Sequence, residues 1–199
     1  MKAKHLFSLF LVVFTILGST NVASAQELAT IKLPQHSIKK GDDIMTTLQN
    51  RKSVREFSDK KLTDQEISDL LWAANGINRS DGKRTAPSAK DQRDIKSYVC
   101  MEKGNYYYDP KANELQPIST GDVRPWDAPV VIVLVSEGNN KYSGTDAGIV
   151  SENISLFCAS TGLATVCRAQ MDLKILTKAL KLTPNQTLQL NHPVGYSNE

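Results

Sequence analysis

Arg51-Lys52-Ser53-Val54-Arg55-Glu56-Phe57 places three cations and a hydroxyl within five residues. Side chains alternate in an extended segment, so Arg51, Ser53 and Arg55 would leave the backbone on one side. Two guanidiniums beside a hydroxyl suit a phosphate group, because guanidinium forks match phosphate oxygens bidentately. The same residues also fit a solvated charged turn at the end of a helix. The stretch therefore indicates either an anion site or an exposed turn.

The N-terminus has the features of a targeting segment. Lys2 and Lys4 precede an apolar run over residues 6–17, and Ala23-Ser24-Ala25 follows. A basic start, a short apolar run and a small-x-small tripeptide are typical of a secretory signal peptide. An uncleaved membrane anchor is the alternative, although the run is short for crossing a bilayer. The sequence predicts a signal peptide over 1–25, removed after its last residue, and export to the periplasm.

The composition of the remaining chain argues against nucleic-acid binding. The 24 Lys and Arg and 21 Asp and Glu residues give a formal charge of +3. Removal of Lys2 and Lys4 leaves +1, because residues 1–25 contain no acidic residue. A nearly neutral domain lacks the basic surface that nucleic-acid binding requires.

The cysteines and histidines are scattered along the chain, with no Cys-x-x-Cys motif and no metal-ligand spacing. The residues are Cys100, Cys158, Cys167, His5, His36 and His192. We expect no metal site. Cys158 and Cys167 have apolar neighbours, so we expect both to be small core residues.

The first part of the mature chain predicts a lead-in followed by a domain. Residues 26–40 show little periodicity, and residues 41–199 form the expected domain. Gly41-Asp42-Asp43 predicts the start of a helix, because aspartate caps helix N-termini, and this helix should end near Asn50.

A second helix is marked by a capping box. Thr63 is the expected N-cap and Glu66 the N3 residue that bonds back to it. Apolar residues then follow at helical spacing, and Gly76 provides the stop. The polar residues 75–85 that come next predict a loop.

The middle of the chain predicts strands. Residues 95–101, 105–110 and 113–118 are separated by turn signals and indicate a meander. Residues 129–135 are a continuous β-branched run, which is typical of a central strand buried on both faces. Helices combined with a meander and a late buried strand predict an α+β fold.

Three consecutive tyrosines, 106–108, follow the first of these strands. Exposed tyrosines could stack on nucleic-acid bases. In a strand, however, Tyr106 and Tyr108 would share one face and Tyr107 the other, and half-buried sheet positions explain them better.

The longest helix is predicted over 146–160, and two stripes run along it. An apolar stripe predicts its buried face. A parallel stripe of small residues would let another backbone approach closely, either inside the domain or across a subunit interface. The small residues are Gly148, Ser151, Ser155, Ala159 and Gly162.

Four further elements complete the chain. Residues 163–168 are apolar enough for an extended segment. Asp172 should cap a short helix. Thr183-Pro184 has the form of an N-cap followed by Pro at the first helical position. Leu188 and Leu190 indicate a closing strand that ends in a turn.

Four motifs, in order and correctly spaced, resemble the nitroreductase family of FMN-dependent oxidoreductases. The stretch at 51–57 resembles its R-x-S-x-R-x-F motif, and Ala86-Pro87-Ser88-Ala89-Lys90-Asp91 its A-P-S-x-x-N segment. The long helix with Thr161-Gly162-Leu163-Ala164 at its end resembles the family's central helix and G-L-x turn. Val194-Gly195-Tyr196 resembles the terminal G-Y-P, and the signal peptide suggests a small exported subgroup.

The resemblance implies a three-layer α+β fold, with a central, mostly antiparallel sheet flanked by helices, that forms a homodimer with FMN at the interface. Arg51, Ser53 and Arg55 would hold the FMN phosphate and ribityl chain. The residues that would approach the flavin from the partner subunit are Pro87, Ser88, Ala89 and Asp91. The residues that would lie against the flavin ring are Thr161, Gly162, Leu163 and Ala164.

Three features depart from the family pattern. Asp91 stands where Asn is usual, and Arg93 where Gln is usual. No Lys or Arg follows Tyr196, where many relatives have a basic residue at the FMN phosphate. Lys52 is the expected substitute.

The resemblance implies hydride transfer through flavin N5 in a ping-pong cycle, with a nitroaromatic, a quinone or a similar small acceptor. No side chain is required as acid, base or nucleophile. The alternatives are a degenerate relative that binds flavin or another ligand without turnover and a secreted dimeric interaction protein. The sequence names neither the physiological substrate nor the electron donor.

Overall fold

The computed structural model describes residues 27–138 and 140–198. Its centre is a seven-stranded sheet in the order β1-β4-β3-β2-β5-β7-β6, with every neighbouring pair antiparallel. The strands are β1 (Ile31–Lys32), β2 (Ile95–Met101), β3 (Gly104–Asp109), β4 (Glu114–Thr120), β5 (Val130–Glu137), β6 (Ala164–Thr165) and β7 (Gln186–Gly195).

Helices cover both faces of this sheet. They are α1 (Ile44–Asn50), α2 (Asp64–Asn75), α3 (Ser143–Thr161) and α4 (Leu173–Ala179), and a short 3-10 helix spans Ala89–Asp91. The sheet has a packed core on each face. Helices α2 and α3 bury side chains in one core and α4 in the other, which gives three layers. The predicted α+β fold in three layers is confirmed.

Strand β5 divides its side chains between the two cores. Val130, Ile132 and Leu134 face the α2 and α3 side. The intervening valines face the α4 side. Burying an aliphatic side chain of this size contributes about 1.5–3 kcal/mol, so a strand buried on both faces anchors the whole sheet. The prediction from the β-branched run is confirmed.

The three tyrosines alternate as predicted. Tyr106 and Tyr108 are buried in the core beneath α2 and α3. Tyr107 packs against the opposite core, where its ring lies 5.6 Å from that of Tyr98. The tyrosines are sheet residues rather than an exposed stacking platform.

The capping box of α2 is present. The Thr63 hydroxyl accepts from the Glu66 N–H at 3.2 Å, and the Glu66 carboxylate accepts from the Thr63 N–H at 2.8 Å. Gly76 ends the helix, and a Cβ there would lie 2.4 Å from Trp72 Cδ1. Helix α1 is likewise capped by Asp43, which accepts from two backbone N–H groups.

Helix α3 starts three residues earlier than the sequence predicted, at Ser143, and ends at Thr161. Gly162 follows with a φ of 76°, a left-handed conformation that glycine adopts without strain. On its outer face, a Cβ at Gly148 would have no neighbouring atom within 4 Å among the described residues. The small-residue stripe is therefore open at this point in the single chain.

Two expectations were wrong. Thr183-Pro184 starts a turn rather than a helix: the Gln186 N–H donates to the Thr183 carbonyl at 3.0 Å, and β7 begins at once. Cys167 is exposed, because it lies just beyond β6 at the edge of the sheet. Cys158, on α3, is buried as predicted.

Part of the lead-in joins the sheet, since Ile31 and Lys32 pair with β4 at its edge. The predicted signal peptide over 1–25 lies outside the described residues. Among the helices that the structure describes, none is both long enough and apolar enough to cross a membrane.

Candidate functional site

The stretch 51–57 crosses one end of the sheet in an extended conformation. The Val54 N–H donates to the Thr165 carbonyl of β6 at 2.9 Å, and the Trp126 indole N–H donates to the Arg55 carbonyl at 3.2 Å. The Arg51 and Arg55 side chains are exposed, and neither has an acidic partner within the described chain. Two uncompensated guanidiniums thus stand on a backbone fixed from both sides.

Residues 161–164 lie next to this stretch, because the Val54–Thr165 bond joins it to the segment that follows α3. Their side chains are already engaged. The Thr161 hydroxyl donates to the Phe157 carbonyl at 2.8 Å, and Leu163 and Ala164 are buried. These residues can contact a cofactor mainly through their backbone.

Residues 87–91 are held at the other end of α3. The Ser88 hydroxyl donates to Asp146 at 2.7 Å, and the Ala89 N–H donates to the same carboxylate at 3.1 Å. A helix rises about 1.5 Å per residue, so Asp146 and Thr161 lie roughly 22 Å apart along its axis. One chain therefore brings 51–55 and 161–164 together but leaves 87–91 far from both.

Asp91 and Arg93, the two residues that depart from the family pattern, bind each other. Arg93 donates to both Asp91 oxygens, at 2.7 and 2.6 Å. These hydrogen bonds hold the pKa of the Asp91 carboxyl below its ordinary value, so the group is an ionised acceptor. The segment is also conformationally unusual, because Lys90, Asp91 and Arg93 have φ of 55°, 55° and 50°. Left-handed backbone in residues other than glycine is strained and needs supporting contacts, which the ion pair and Asp146 supply.

A cavity of about 540 Å³ opens beside the stretch on the α4 side of the sheet. Trp126 connects the cavity to the stretch 51–57, because it lines the cavity and its indole N–H donates to the Arg55 carbonyl. The Arg168 guanidinium carbon lies 3.5 Å from the centre of the Trp126 ring. This volume falls within the usual range for small-molecule sites, roughly 300–1,000 Å³.

Two arginines contribute differently to this cavity. Arg124 is compensated, because it donates to both oxygens of Asp122, at 2.9 and 2.6 Å. Arg168 is not: its Nε is buried and, in the described part of the chain, has no hydrogen-bond partner. Among the described residues Arg168 has no ion-pair partner, and the wall also carries the Asp172 carboxylate. Sequence reasoning missed Arg124 and Arg168, because neither belongs to a motif and their neighbours become apparent only in the fold.

A buried hydrogen-bond chain supports the segment that leads to Arg168. His192 bonds to the Ser151 hydroxyl at 2.8 Å and to the Thr165 hydroxyl at 3.1 Å. Thr165 donates to the Pro193 carbonyl at 2.8 Å, so the imidazole donates to Thr165 and accepts from Ser151. Burial lowers the pKa of His192 to about 4, which keeps the ring neutral.

The described residues contain no group of three or more His, Cys, Asp or Glu side chains arranged to hold a metal ion. The candidate site is thus a basic stretch, an adjoining cavity and, at the far end of α3, a second polar segment.

This architecture is that of the nitroreductases. A Ralstonia eutropha protein that bears the nitroreductase name superposes with a TM-score of 0.79 at 33% identity, over 85% of this chain and 90% of that one. An FMN-dependent nitroreductase from Clostridium difficile has the same fold, with a TM-score of 0.55 at 21% identity over 78% of this chain and 88% of that one. A Methanocaldococcus jannaschii protein assigned by its name to the nitroreductases is 27% identical over 68% of this chain and 81% of its own length.

The Nitroreductase family matches residues 48–196. The chain belongs to this family, as the four motifs predicted, and the family places it among the oxidoreductases.

Proposed function

We propose that the protein is an FMN-dependent oxidoreductase whose phosphate site is the stretch 51–55. The observation that carries the proposal is the uncompensated pair Arg51 and Arg55, fixed by backbone hydrogen bonds beside a cavity of about 540 Å³. The FMN-dependent relative from Clostridium difficile supports the choice of cofactor.

The residues fit this cofactor in charge and in shape. Arg51, Ser53 and Arg55 would hold the phosphate and ribityl chain, with Lys52 beside them. The cavity would take the ring, with Trp126 as an apolar wall and Arg168 as a positive charge at its edge. Positive charge near the ring favours electron uptake, because it stabilises the negative charge that reduction brings.

When bound, FMN supplies hydride transfer through N5 in a ping-pong cycle, and a nitroaromatic, a quinone or a similar small molecule is the acceptor. The protein binds the cofactor, orients it and restricts water. In this proposal no side chain of the chain acts as a nucleophile or as a general acid or base.

We further propose that the working protein is a homodimer with FMN at its interface. In one chain, Pro87, Ser88, Ala89 and Asp91 are held near Asp146, which lies roughly 22 Å along the α3 axis from Thr161. A second copy could supply them to the site. Two features support this assembly. One is the open small-residue face of α3. The other is a set of exposed apolar residues on α1, namely Ile44, Met45 and Leu48.

The direct test is the purified mature protein. We expect it to be yellow, to release FMN on denaturation, and to be reduced in anaerobic stopped-flow by NADH, NADPH or a quinol. Colourless protein that takes up no added FMN would contradict the proposal. Flavin-loaded protein that even dithionite leaves oxidised would favour the degenerate relative instead.

Export is part of the proposal, and it bears on the electron donor because NAD(P)H is scarce outside the cytoplasm. Expression of the full chain in a Gram-negative host should yield periplasmic protein that begins at Gln26, as measured by N-terminal sequencing. Uncleaved protein in the membrane fraction would instead support the anchor.

A further inference from the structure

A second cavity, of about 560 Å³, lies at the same end of the sheet but on its opposite face. It opens where β2 ends and β5 begins, against the start of α2. Arg124 lines both cavities, so the two are neighbours across the sheet. The proposed FMN site does not use this space.

The inner wall of the second cavity is apolar. Leu115, Ile67 and Val130 are buried core residues that also line it. Phe57, at the end of the basic stretch, and Leu62 complete this wall. Such a surface favours an apolar occupant over water.

The rim carries charges of both signs. The acidic residues are Asp59, Asp64, Glu102 and Asp127. The basic residues are Lys61, Lys103 and Arg124. Lys61 pairs with Glu102 at 3.4 Å, and Arg124 with Asp122 at 2.6 Å. The rim therefore has no strong field of one sign, and it favours an uncharged ligand over an ion.

Tyr106 supplies a polar group to this cavity. It is 5% exposed and lines the cavity, yet its hydroxyl has no hydrogen-bond partner among the described residues. The two nearby buried tyrosines differ: Tyr108 donates to Asn113 at 3.1 Å, and the Tyr98 hydroxyl bonds to Gln186 at 3.2 Å. Burial raises the pKa of Tyr106, so the hydroxyl is a proton donor at neutral pH.

We propose that this cavity is a binding site for an uncharged apolar molecule with a carbonyl group, such as an aromatic ketone or a quinone-type ring. The carbonyl oxygen accepts a hydrogen bond from Tyr106, and the apolar body packs on the inner wall. The hydroxyl oxygen is accessible from the cavity rather than sealed in the core, so a ligand carbonyl that accepts its hydrogen bond gains both affinity and a fixed orientation. The site stands independently of the flavin.

The test uses two ligands of similar shape, 2-acetylnaphthalene and 2-ethylnaphthalene. Neither ligand is a quinone or a nitro compound, so the flavin does not reduce them and the calorimetry measures binding alone. Binding to the purified mature protein, as isolated, is measured by titration calorimetry. We expect the wild type to bind the ketone roughly 3- to 10-fold more tightly than the hydrocarbon, the effect of one hydrogen bond.

Tyr106→Phe removes the hydroxyl and keeps the ring, and it should abolish the preference for the ketone while leaving the hydrocarbon affinity nearly unchanged. Tyr107→Phe removes a hydroxyl on the other face of the sheet and should behave as the wild type. If neither ligand binds, the cavity holds only water and the proposal is overturned. A ketone preference that survives Tyr106→Phe also overturns it.

Discussion

At the scale of single residues, Arg55 carries the sharpest prediction about the cofactor. Its guanidinium is exposed and has no acidic partner in the described chain, and its carbonyl accepts from Trp126 at the cavity wall. We predict that Arg55→Ala weakens FMN binding roughly tenfold to a hundredfold, because a hydrogen bond to a charged group contributes about 1.5–3 kcal/mol. FMN titration of the flavin-free protein, followed by flavin fluorescence, measures the effect.

Two controls isolate the phosphate contact. Riboflavin lacks the phosphate, so Arg55→Ala should change its affinity little. Arg79→Ala removes an exposed guanidinium from the loop after α2, where it donates to the Arg84 carbonyl, and should bind FMN as the wild type does. Unchanged FMN affinity in Arg55→Ala would show that the phosphate lies elsewhere.

His192 links a buried side chain to the pH dependence of stability. Burial lowers its pKa from 6.5 to about 4, so the unfolded chain takes up this proton first as the pH falls. The stability from the neutral imidazole is complete above the unfolded pKa and is lost as the pH falls from 6.5 towards 4. We predict that this one group lowers the free energy of unfolding by about 2 kcal/mol between pH 7 and pH 5.

Urea unfolding at the two pH values measures this loss. His192→Gln lacks the titrating group, so its stability should fall by about 2 kcal/mol less than that of the wild type over the same interval. His36→Gln, at a histidine stacked on Trp72, should keep the wild-type dependence. Identical pH dependence in all three proteins would mean that His192 does not titrate differently on unfolding.

At the scale of elements, α3 positions two parts of the proposed site. Its first turn holds residues 87–91 through Asp146, which is 2% exposed and accepts from Ser88 and Ala89. Asp146→Asn replaces an acceptor by an amide donor that faces these donors. We predict a loss of about 1–3 kcal/mol in the free energy of unfolding and weaker FMN binding. Urea unfolding and FMN titration measure the two effects.

The matched control is Asp64→Asn, in the first turn of α2, where the carboxylate is exposed. Only a small loss of stability is expected there, because a helix-dipole interaction contributes about 0.3–1 kcal/mol. Should Asp146→Asn lose stability but bind FMN normally, the segment 87–91 would not belong to the FMN site.

At the scale of the whole molecule, the proposed FMN site would need a second copy of the chain to supply residues 87–91. We predict that the mature protein is a dimer and that Gly148→Arg is a monomer with little bound FMN. The substitution should not disturb the fold, because outside its own helix backbone and chain neighbours no described atom lies within 4 Å of a Cβ at this position. Light scattering coupled to size exclusion gives the mass, and absorbance at the flavin band gives the occupancy.

Ala112→Arg adds the same side chain at the exposed turn between β3 and β4, and it should remain dimeric and yellow. A Gly148→Arg protein that remains dimeric would place the interface elsewhere and remove the proposed route by which residues 87–91 reach the flavin.

The sequence alone determined the elements whose signal is local. The β-branched run predicted a strand buried on both faces, Thr63 and Glu66 predicted the start of α2, and tyrosine alternation predicted the two faces of β3. Such patterns succeed because hydrophobic periodicity and capping depend on residues a few positions apart. The four motifs, taken together in order, likewise predicted the family.

The tertiary structure decided which distant residues meet. It joined Val54 to Thr165, placed Arg168 on Trp126 and joined Ser88 to Asp146. The prediction of a helix start at Thr183-Pro184 was wrong, because the pairing of β7 with β5 outweighs the local helix propensity. Contacts of this kind depend on strand order and on how the helices pack against the sheet, which no local pattern encodes. The resemblance implied that 87–91 come from a partner subunit, but only the fold showed that Asp146 holds them at the far end of α3.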